Sequence, residues 1–509
     1  MSVCGARVGI VATDEGLSQA ATSQSKRSVK VAATRGNIYD CNGRLLVGTE
    51  IKDITVVFPC EQGVSVLTAM LSGDELTDAM KKLSNGNVAV LNGKYNGDSD
   101  GAVTIRVPIR YNGATAHVLG YVDGTGHGVA GVESGLDELL YSQNGISVSY
   151  NSDPFGRMLV GEGFSVSTEA TGSVTLTIDK DIQSITENAM CDVKCGAAVV
   201  MDAKSGKIRA MVSKPWYDAS NIAEYIDSPD SPLINRALFA YNVGSVFKPL
   251  VAAAALENGF GDYTHNCTGS IVNAGITFKC NRIWGHGELG LKDAIAQSCN
   301  TYFYTLAGKI GAQKIYNSAS KLWFGKELDL GGGIIAKKGF LPDTSALESS
   351  SALINLSIGQ GELLLSPVAV ANLYSAITNG GVYRLPTLIE GVEQNGVYKK
   401  TEENLNVRVM SESVAATLKE YLKYTLKEGT GSSAYVEGIT AGGKTGTAQT
   451  GWRDGERKIL NGWFCGFVEG KKTDYVIVIL KEDVKSGSHD CAPIFKNIAQ
   501  ELSNIKDNP

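Results

Sequence analysis

No run of apolar residues in this 509-residue sequence approaches the length of about 20 that a bilayer-crossing helix requires, so nothing in it reads as a membrane span. The stretch Val8-Gly9-Ile10-Val11-Ala12 is too short for a span or a good signal peptide. The chain is therefore expected to be cytosolic or to lack its export segment. Histidine is scarce, with 5 residues, and no Cys-x-x-Cys or Cys/His spacing follows a zinc pattern. No metal constellation and no cofactor are expected. A long basic block is also missing and the net charge is −6, which argues against nucleic acid as a partner. Ten cysteines are too few for a disulfide scaffold. Cys267 and Cys280 nevertheless bracket a strand-turn-strand stretch, where a hairpin brings them near each other. A bridge there is worth roughly 3 kcal/mol in an oxidising compartment; two reduced cysteines packed side by side are the equal alternative.

What is present is an ordinary globular composition, 43% hydrophobic and 20% charged, in a chain too long for one core. Up to about residue 165 it is rich in Gly, Asn, Asp and Ser. Short strands such as 54–58 and 103–107 are interrupted by one helix over 65–83. From about 170 the pattern enlarges: a strand at 173–178, a helix from Asp181 to Cys191, and a hairpin of 197–201 and 207–212 turned at Ala203-Lys204-Ser205-Gly206. Helices follow over 292–307, 312–323 and 367–377. Strands at 443–449, 462–468 and 475–481 precede a closing helix at 493–502. Helices followed by a run of antiparallel strands indicate an α+β sandwich.

Three short pieces carry chemistry: Ser245-Val246-Phe247-Lys248, Ser298-Cys299-Asn300 and Lys444-Thr445-Gly446-Thr447-Ala448. None is specific alone. Ser-x-x-Lys also occurs at Ser23/Lys26, Ser318/Lys321 and Ser503/Lys506, Ser-x-Asn at Ser142 and Ser149, and Lys-Ser-Gly at Lys204 and Lys485. Context separates them. Ser245 follows Gly244 and opens an apolar run from Leu250 to Leu256 that reads as a buried helix, on which Ser245 and Lys248 share a face. Pro249 falls in the first turn, where a missing N–H costs little. The helix start offers free N–H groups and a positive dipole end to an oxyanion.

Together the three pieces match the Ser-x-x-Lys, Ser-x-Asn, Lys-Thr-Gly set of penicillin-binding proteins and serine β-lactamases. Over nearly its whole length the chain resembles a class B penicillin-binding protein, a monofunctional peptidoglycan D,D-transpeptidase. Arg35-Gly36-Asn37-Ile38-Tyr39-Asp40 with Asn42-Gly43 resembles the entry motif of that family's pedestal domain. His117-Val118-Leu119-Gly120 followed by Gly131-Val132-Glu133-Ser134-Gly135-Leu136-Asp137 resembles its later pedestal motif. Asn235-Arg236 and Ile358-Gly359-Gln360-Gly361 with Ser366-Pro367 also fit. The resemblance implies a strand-rich pedestal over 1–168 and, over 169–509, a serine β-lactamase-like transpeptidase domain: an antiparallel sheet flanked by helices.

The resemblance also implies roles. Ser245 is the nucleophile that forms an acyl-enzyme, and Lys248 the base. Its pKa, ordinarily about 10.4, is expected to fall through burial and the nearby positive Lys444. Ser298 relays a proton to the leaving amine, and Asn300 holds Lys248 and the substrate amide. Lys444, Thr445, Gly446 and Thr447 form the strand edge that binds the terminal carboxylate. Backbone N–H groups of Ser245 and Thr447 make the oxyanion hole. Cys299 is expected to point away from the cleft and pack. The implied partners are peptidoglycan stem peptides, β-lactams and a membrane glycosyltransferase, at the outer face of the bacterial cytoplasmic membrane, although the usual N-terminal anchor is missing from this sequence. The alternatives are a D,D-carboxypeptidase or β-lactamase-type hydrolase and a non-catalytic β-lactam sensor or scaffold. Val243 replaces the family's usual Pro before Gly244-Ser245, and Glu402-Glu403-Asn404-Leu405-Asn406 repeats a β-lactamase deacylation signature in a polar, loop-like stretch where chance accounts for it.

Overall fold

The computed structural model describes residues 25–47, 50–110, 115–159, 161, 163–169, 171–404 and 406–505. Val8–Ala12, Ser23 of the first Ser-x-x-Lys hit, Leu405 of the deacylation-like stretch and Lys506 of the last hit lie outside the described residues. No described helix is long and apolar enough to cross a membrane.

The first part is built on two small antiparallel sheets. Strand Lys26–Ala32 pairs with Ile146–Asn151, which pairs in turn with Phe164–Thr168. Glu50–Val57 lies between Ala89–Asn92 and Ala102–Ile109. The single helix expected over 65–83 is two, Glu61–Met70 and Gly73–Ser84. The chain breaks between them at Ser72, which is extended, and Gly73, whose φ of 59° suits a residue without Cβ.

Two of the motifs quoted from this part meet through a buried ion pair. The Arg35 guanidinium donates to Glu133 Oε2 at 2.8 Å and to Asp137 Oδ1 at 2.5 Å, with Glu133 fully buried. A third motif reaches the second part: the Asn235 amide donates to the His117 carbonyl at 3.1 Å, and His117 Nε2 lies 2.7 Å from the Pro232 carbonyl. Strand Ser173–Leu176 joins the two parts, pairing in parallel with Ile38–Tyr39 and antiparallel with Ile389–Gln394.

The second part is organised by a five-stranded antiparallel sheet. Its strands in chain order are β1 (Gly196–Asp202), β2 (Ile208–Lys214), β3 (Ala441–Asp454), β4 (Arg457–Val468) and β5 (Tyr475–Lys481), in spatial order β2-β1-β5-β4-β3. Both faces are covered, so the central strands β1 and β5 read as nearly continuous apolar runs whose alternate residues enter different cores. Ala197, Val199 and Met201 join Val476, Val478 and Leu480 in the larger core. Ala198 and Val200 join Ile477, Ile479 and Phe464 in the smaller one. Helices α1 (Lys180–Ala189) and α7 (Ala492–Asn504) cover the smaller core. The larger one is filled by α2 (Lys248–Glu257), α3 (Leu291–Ala296), α4 (Asn300–Ile310), α5 (Pro367–Thr378) and α6 (Glu412–Glu428). Helix α5 is buried along its whole length; the Ser366 hydroxyl accepts from the Ala369 N–H and Pro367 occupies the first turn. The architecture is the expected α+β class, with an antiparallel sheet between helical layers.

The helix expected over 292–307 is interrupted. Helix α3 ends at Ala296, α4 starts at Asn300, and Ser298 between them adopts φ 56°. That left-handed residue turns the chain so that Ser298 and Asn300 reach the same group.

Candidate active site

Ser245 lies in a 3₁₀ turn, Gly244–Phe247, that feeds directly into α2, and it is half-buried while its neighbours are buried. Gly244 has φ 61°, and a Cβ added there would meet the Thr447 carbonyl oxygen at 2.8 Å, so the turn lies tight against β3. It is held from two other sides. The Gly244 N–H donates to the Gly359 carbonyl at 2.8 Å, and the buried Tyr374 hydroxyl of α5 donates to the Val246 carbonyl at 3.0 Å. A Cβ on Gly359 would fall 2.1 Å from the Gly244 carbonyl oxygen, a contact that only glycine permits.

Lys248, in the first turn of α2, is completely buried. Its amine donates to the Ser298 carbonyl at 2.7 Å, to Asn300 Oδ1 at 2.7 Å and to Ser298 Oγ at 3.1 Å. Burial pushes its pKa down to about 7, against a smaller opposing pull from Cys299 and Cys280. The repulsion expected between Lys248 and Lys444 is mutual and shows at Lys444. Lys444, also completely buried, is held well below the ordinary lysine value, first by burial and then by the positive Lys248. Its amine donates to the Thr445 carbonyl at 3.0 Å.

Lys444, Thr445, Gly446 and Thr447 lie on β3, the edge strand of the sheet, whose outer side carries backbone groups without a strand partner in the sheet. Thr447 is exposed and Gly446 packs against Val246. The structure thus gathers the three sequence pieces around the Ser245 turn: the Ser-x-x-Lys helix start, the Ser-x-Asn turn through Lys248, and the Lys-Thr-Gly strand through Gly244 and Gly446.

Other residues at this place were not singled out from sequence. The Gly487 N–H donates to Thr447 Oγ1 at 3.1 Å, and the Thr445 hydroxyl donates to Thr430 Oγ1 at 2.9 Å. The Ser488 hydroxyl caps the Thr430 carbonyl at 2.8 Å. The signal for Gly487 was present, since it closes the Lys485-Ser486-Gly487 hit, which reads as chance by itself. The competing hits at Ser142, Ser149 and Lys204 lie in a turn, a strand of the first part and the β1–β2 turn. Ser318 and Lys321 lie on helix Ala312–Lys321.

Cys299 is fully buried, and its surroundings correct one expectation. Cys267, Cys280, His286 and Cys299 bring their ligand atoms within 4.8 Å of one another. Cys267 and Cys280 are free thiols, not a bridge. No zinc pattern is visible in the spacing because the intervals in Cys267-x12-Cys280-x5-His286-x12-Cys299 span a whole hairpin, a loop and a helix rather than a knuckle.

The family model of the penicillin binding protein transpeptidase domain matches residues 196–500. The chain belongs to this family. Among curated relatives of this penicillin-binding protein, PbpB of Mycobacterium tuberculosis is 30% identical over 430 residues, 77% of this chain and 61% of that protein. The peptidoglycan D,D-transpeptidase PbpA of Mycolicibacterium smegmatis is 30% identical over 387 residues, 69% of this chain and 76% of that protein. The solved structure of penicillin binding protein 3 from Mycobacterium tuberculosis superposes with a TM-score of 0.69 at 24% identity, over 94% of this chain and 97% of that one, and so shares the fold. The chain spans about three fifths of the length of PbpB.

Proposed function

We propose that this penicillin-binding protein is a peptidoglycan D,D-transpeptidase that works through a serine acyl-enzyme and is acylated by β-lactams. The observation that carries the reading is the buried Lys248 amine, within hydrogen-bond distance of Ser298 Oγ and Asn300 Oδ1 and one helical turn from Ser245. A lysine brought to about 7 is neutral in a large fraction of molecules at neutral pH and can accept a proton.

In this mechanism Ser245 Oγ attacks the carbonyl between the two terminal D-alanines while its proton passes to Lys248. The tetrahedral oxyanion is stabilised by the N–H groups of Ser245 and Thr447, each such donor being worth about 3 to 4 kcal/mol. As the C–N bond breaks, Ser298 hands the proton from Lys248 to the leaving amine, and D-alanine departs. The amine of a second stem peptide then attacks the ester; its proton passes to the departing Ser245 Oγ through Ser298 and Lys248, the cross-linking amide forms and Ser245 is freed. Asn300 keeps Lys248 aimed. Lys444, Thr445, Gly446 and Thr447 receive the substrate carboxylate at the open edge of β3. Residues 1–168 form the pedestal and 169–509 the catalytic domain. On this reading, which the family resemblance supports, the enzyme works at the outer face of the cytoplasmic membrane beside a membrane glycosyltransferase. Nothing supports a deacylating role for the 402–406 stretch: Glu402 is exposed, and Glu403 pairs with Arg384.

A fluorescent penicillin is expected to label the protein covalently and the Ser245→Ala variant not at all. Undiminished labelling of that variant would overturn the site. Incubation with a pentapeptide and an amine acceptor is expected to yield cross-linked product; hydrolysis alone would replace transpeptidation with a carboxypeptidase reading.

A further inference from the structure

We propose that Cys267, Cys280, His286 and Cys299 form a closed tetrahedral zinc site that anchors the Ser298–Asn300 turn. The geometry is that of a metal cage. Cys280 Sγ lies 3.8 Å from Cys299 Sγ, while His286 Nδ1 lies 3.5 Å from Cys267 Sγ and 3.6 Å from Cys280 Sγ. A tetrahedral zinc with Zn–S near 2.3 Å and Zn–N near 2.0 to 2.1 Å sets its sulfurs about 3.8 Å apart and its sulfur–nitrogen pairs about 3.6 Å apart. Bonded sulfurs stand about 2.05 Å apart.

The scaffold is built to hold these donors. Cys267 ends strand His265–Cys267, which pairs with Gly287–Leu289 just after His286, so two donors come from adjacent ends of one ladder. Cys280 follows the hairpin of Ser270–Asn273 and Ile276–Lys279, and its N–H donates to the Gly269 carbonyl at 2.8 Å. The loops cross so closely that a Cβ on Gly285 would meet the Cys267 carbonyl oxygen at 2.1 Å. The Asn300 N–H points at Cys280 Sγ from 3.3 Å, as backbone donors do around metal-bound thiolates. The three cysteines are buried, and His286 closes the outer side. Three sulfurs and one imidazole select zinc over hard cations, and four protein donors leave no open coordination position, so the site is structural.

Cys299 is the residue between Ser298 and Asn300, and Lys248 is held by both. A zinc–thiolate bond at Cys299 fixes the break between α3 and α4, and so the acceptors that orient Lys248. The anchoring role rests on the acyl-transfer reading; the metal site does not.

The full chain, purified reduced and without chelator, is expected to carry one zinc by elemental analysis. After exchange with cobalt(II) it is expected to show thiolate charge-transfer and tetrahedral ligand-field bands. Cys267→Ser and His286→Ala are expected to lower the zinc stoichiometry well below one. Reduced wild-type protein that takes up neither zinc chloride nor cobalt(II), or a disulfide among these cysteines found by mass spectrometry, would overturn the site without reliance on any variant. Stripping the metal is expected to slow acylation by fluorescent penicillin at least 10-fold, with recovery on zinc but not magnesium. Unchanged acylation of stripped protein would overturn the anchoring role and leave the metal site standing. A zinc-loaded protein that never reacts with penicillin would overturn the acyl-transfer reading instead.

Discussion

Asn300 accepts a 2.7 Å hydrogen bond from the Lys248 amine in a pocket where that amine is wholly buried, so the amide is one of the few groups that can orient it. Asn300→Ala removes that acceptor. Acylation by a fluorescent penicillin, followed by stopped flow, is expected to slow by roughly 100-fold, within the range of a mispositioned proton acceptor. Asn300→Asp places a carboxylate beside Lys248 and favours its charged form, so it is expected to slow acylation as well.

The pH profile of acylation follows from Lys248. In the proposed mechanism its neutral amine takes the Ser245 proton and its ammonium form cannot, so the rate is expected to rise as pH climbs through about 7 and to level off above. Lys248→Arg puts a permanently charged guanidinium in the same place. Its profile is expected to be flat and near background from about pH 5 to pH 9, because the guanidinium does not lose its proton in that range.

Gly359→Ala tests the packing behind the nucleophile turn. With φ at 71° and the Gly244 carbonyl oxygen 2.1 Å from the new Cβ, the backbone of one or both segments must move. A loss of about 1 to 3 kcal/mol in stability, read by urea denaturation, is expected together with slower acylation.

Glu133→Ala leaves Asp137 as the carboxylate partner of the buried Arg35 guanidinium, which keeps its bonds to the carbonyls of residues 126 and 133. Removal of one partner of a buried pair costs about 3 to 5 kcal/mol. A lower thermal midpoint for the first part is expected, with penicillin labelling retained at temperatures where the second part stays folded.

The three motif pieces and the sheet were legible in the sequence for physical reasons. Strand β5 was read at its observed ends, 475–481, because it is an apolar run bounded by polar residues, and the β1–β2 hairpin was marked by Gly206. The breaks were not legible. Gln297-Ser298-Cys299 contains neither Gly nor Pro, so the helix expected over 292–307 had nothing local to stop it; the stop comes from tertiary contacts to Lys248. Thr430 and Ser488 approach β3 from segments distant in sequence and carry no spacing signal, and Gly487 shows only as the end of a Lys-Ser-Gly hit. The Cys/His cluster escaped notice for the same reason: its donors are neighbours only after two short ladders have paired.

The left-handed turn at Ser298 sets durability against chemistry. A side chain at φ 56° costs about 1 kcal/mol that glycine would not. Selection for heat resistance alone would therefore be drawn to Ser298→Gly, and each such gain would erase the hydroxyl that faces Lys248. Position 298 is thus a place where backbone ease and the proposed proton relay pull in opposite directions.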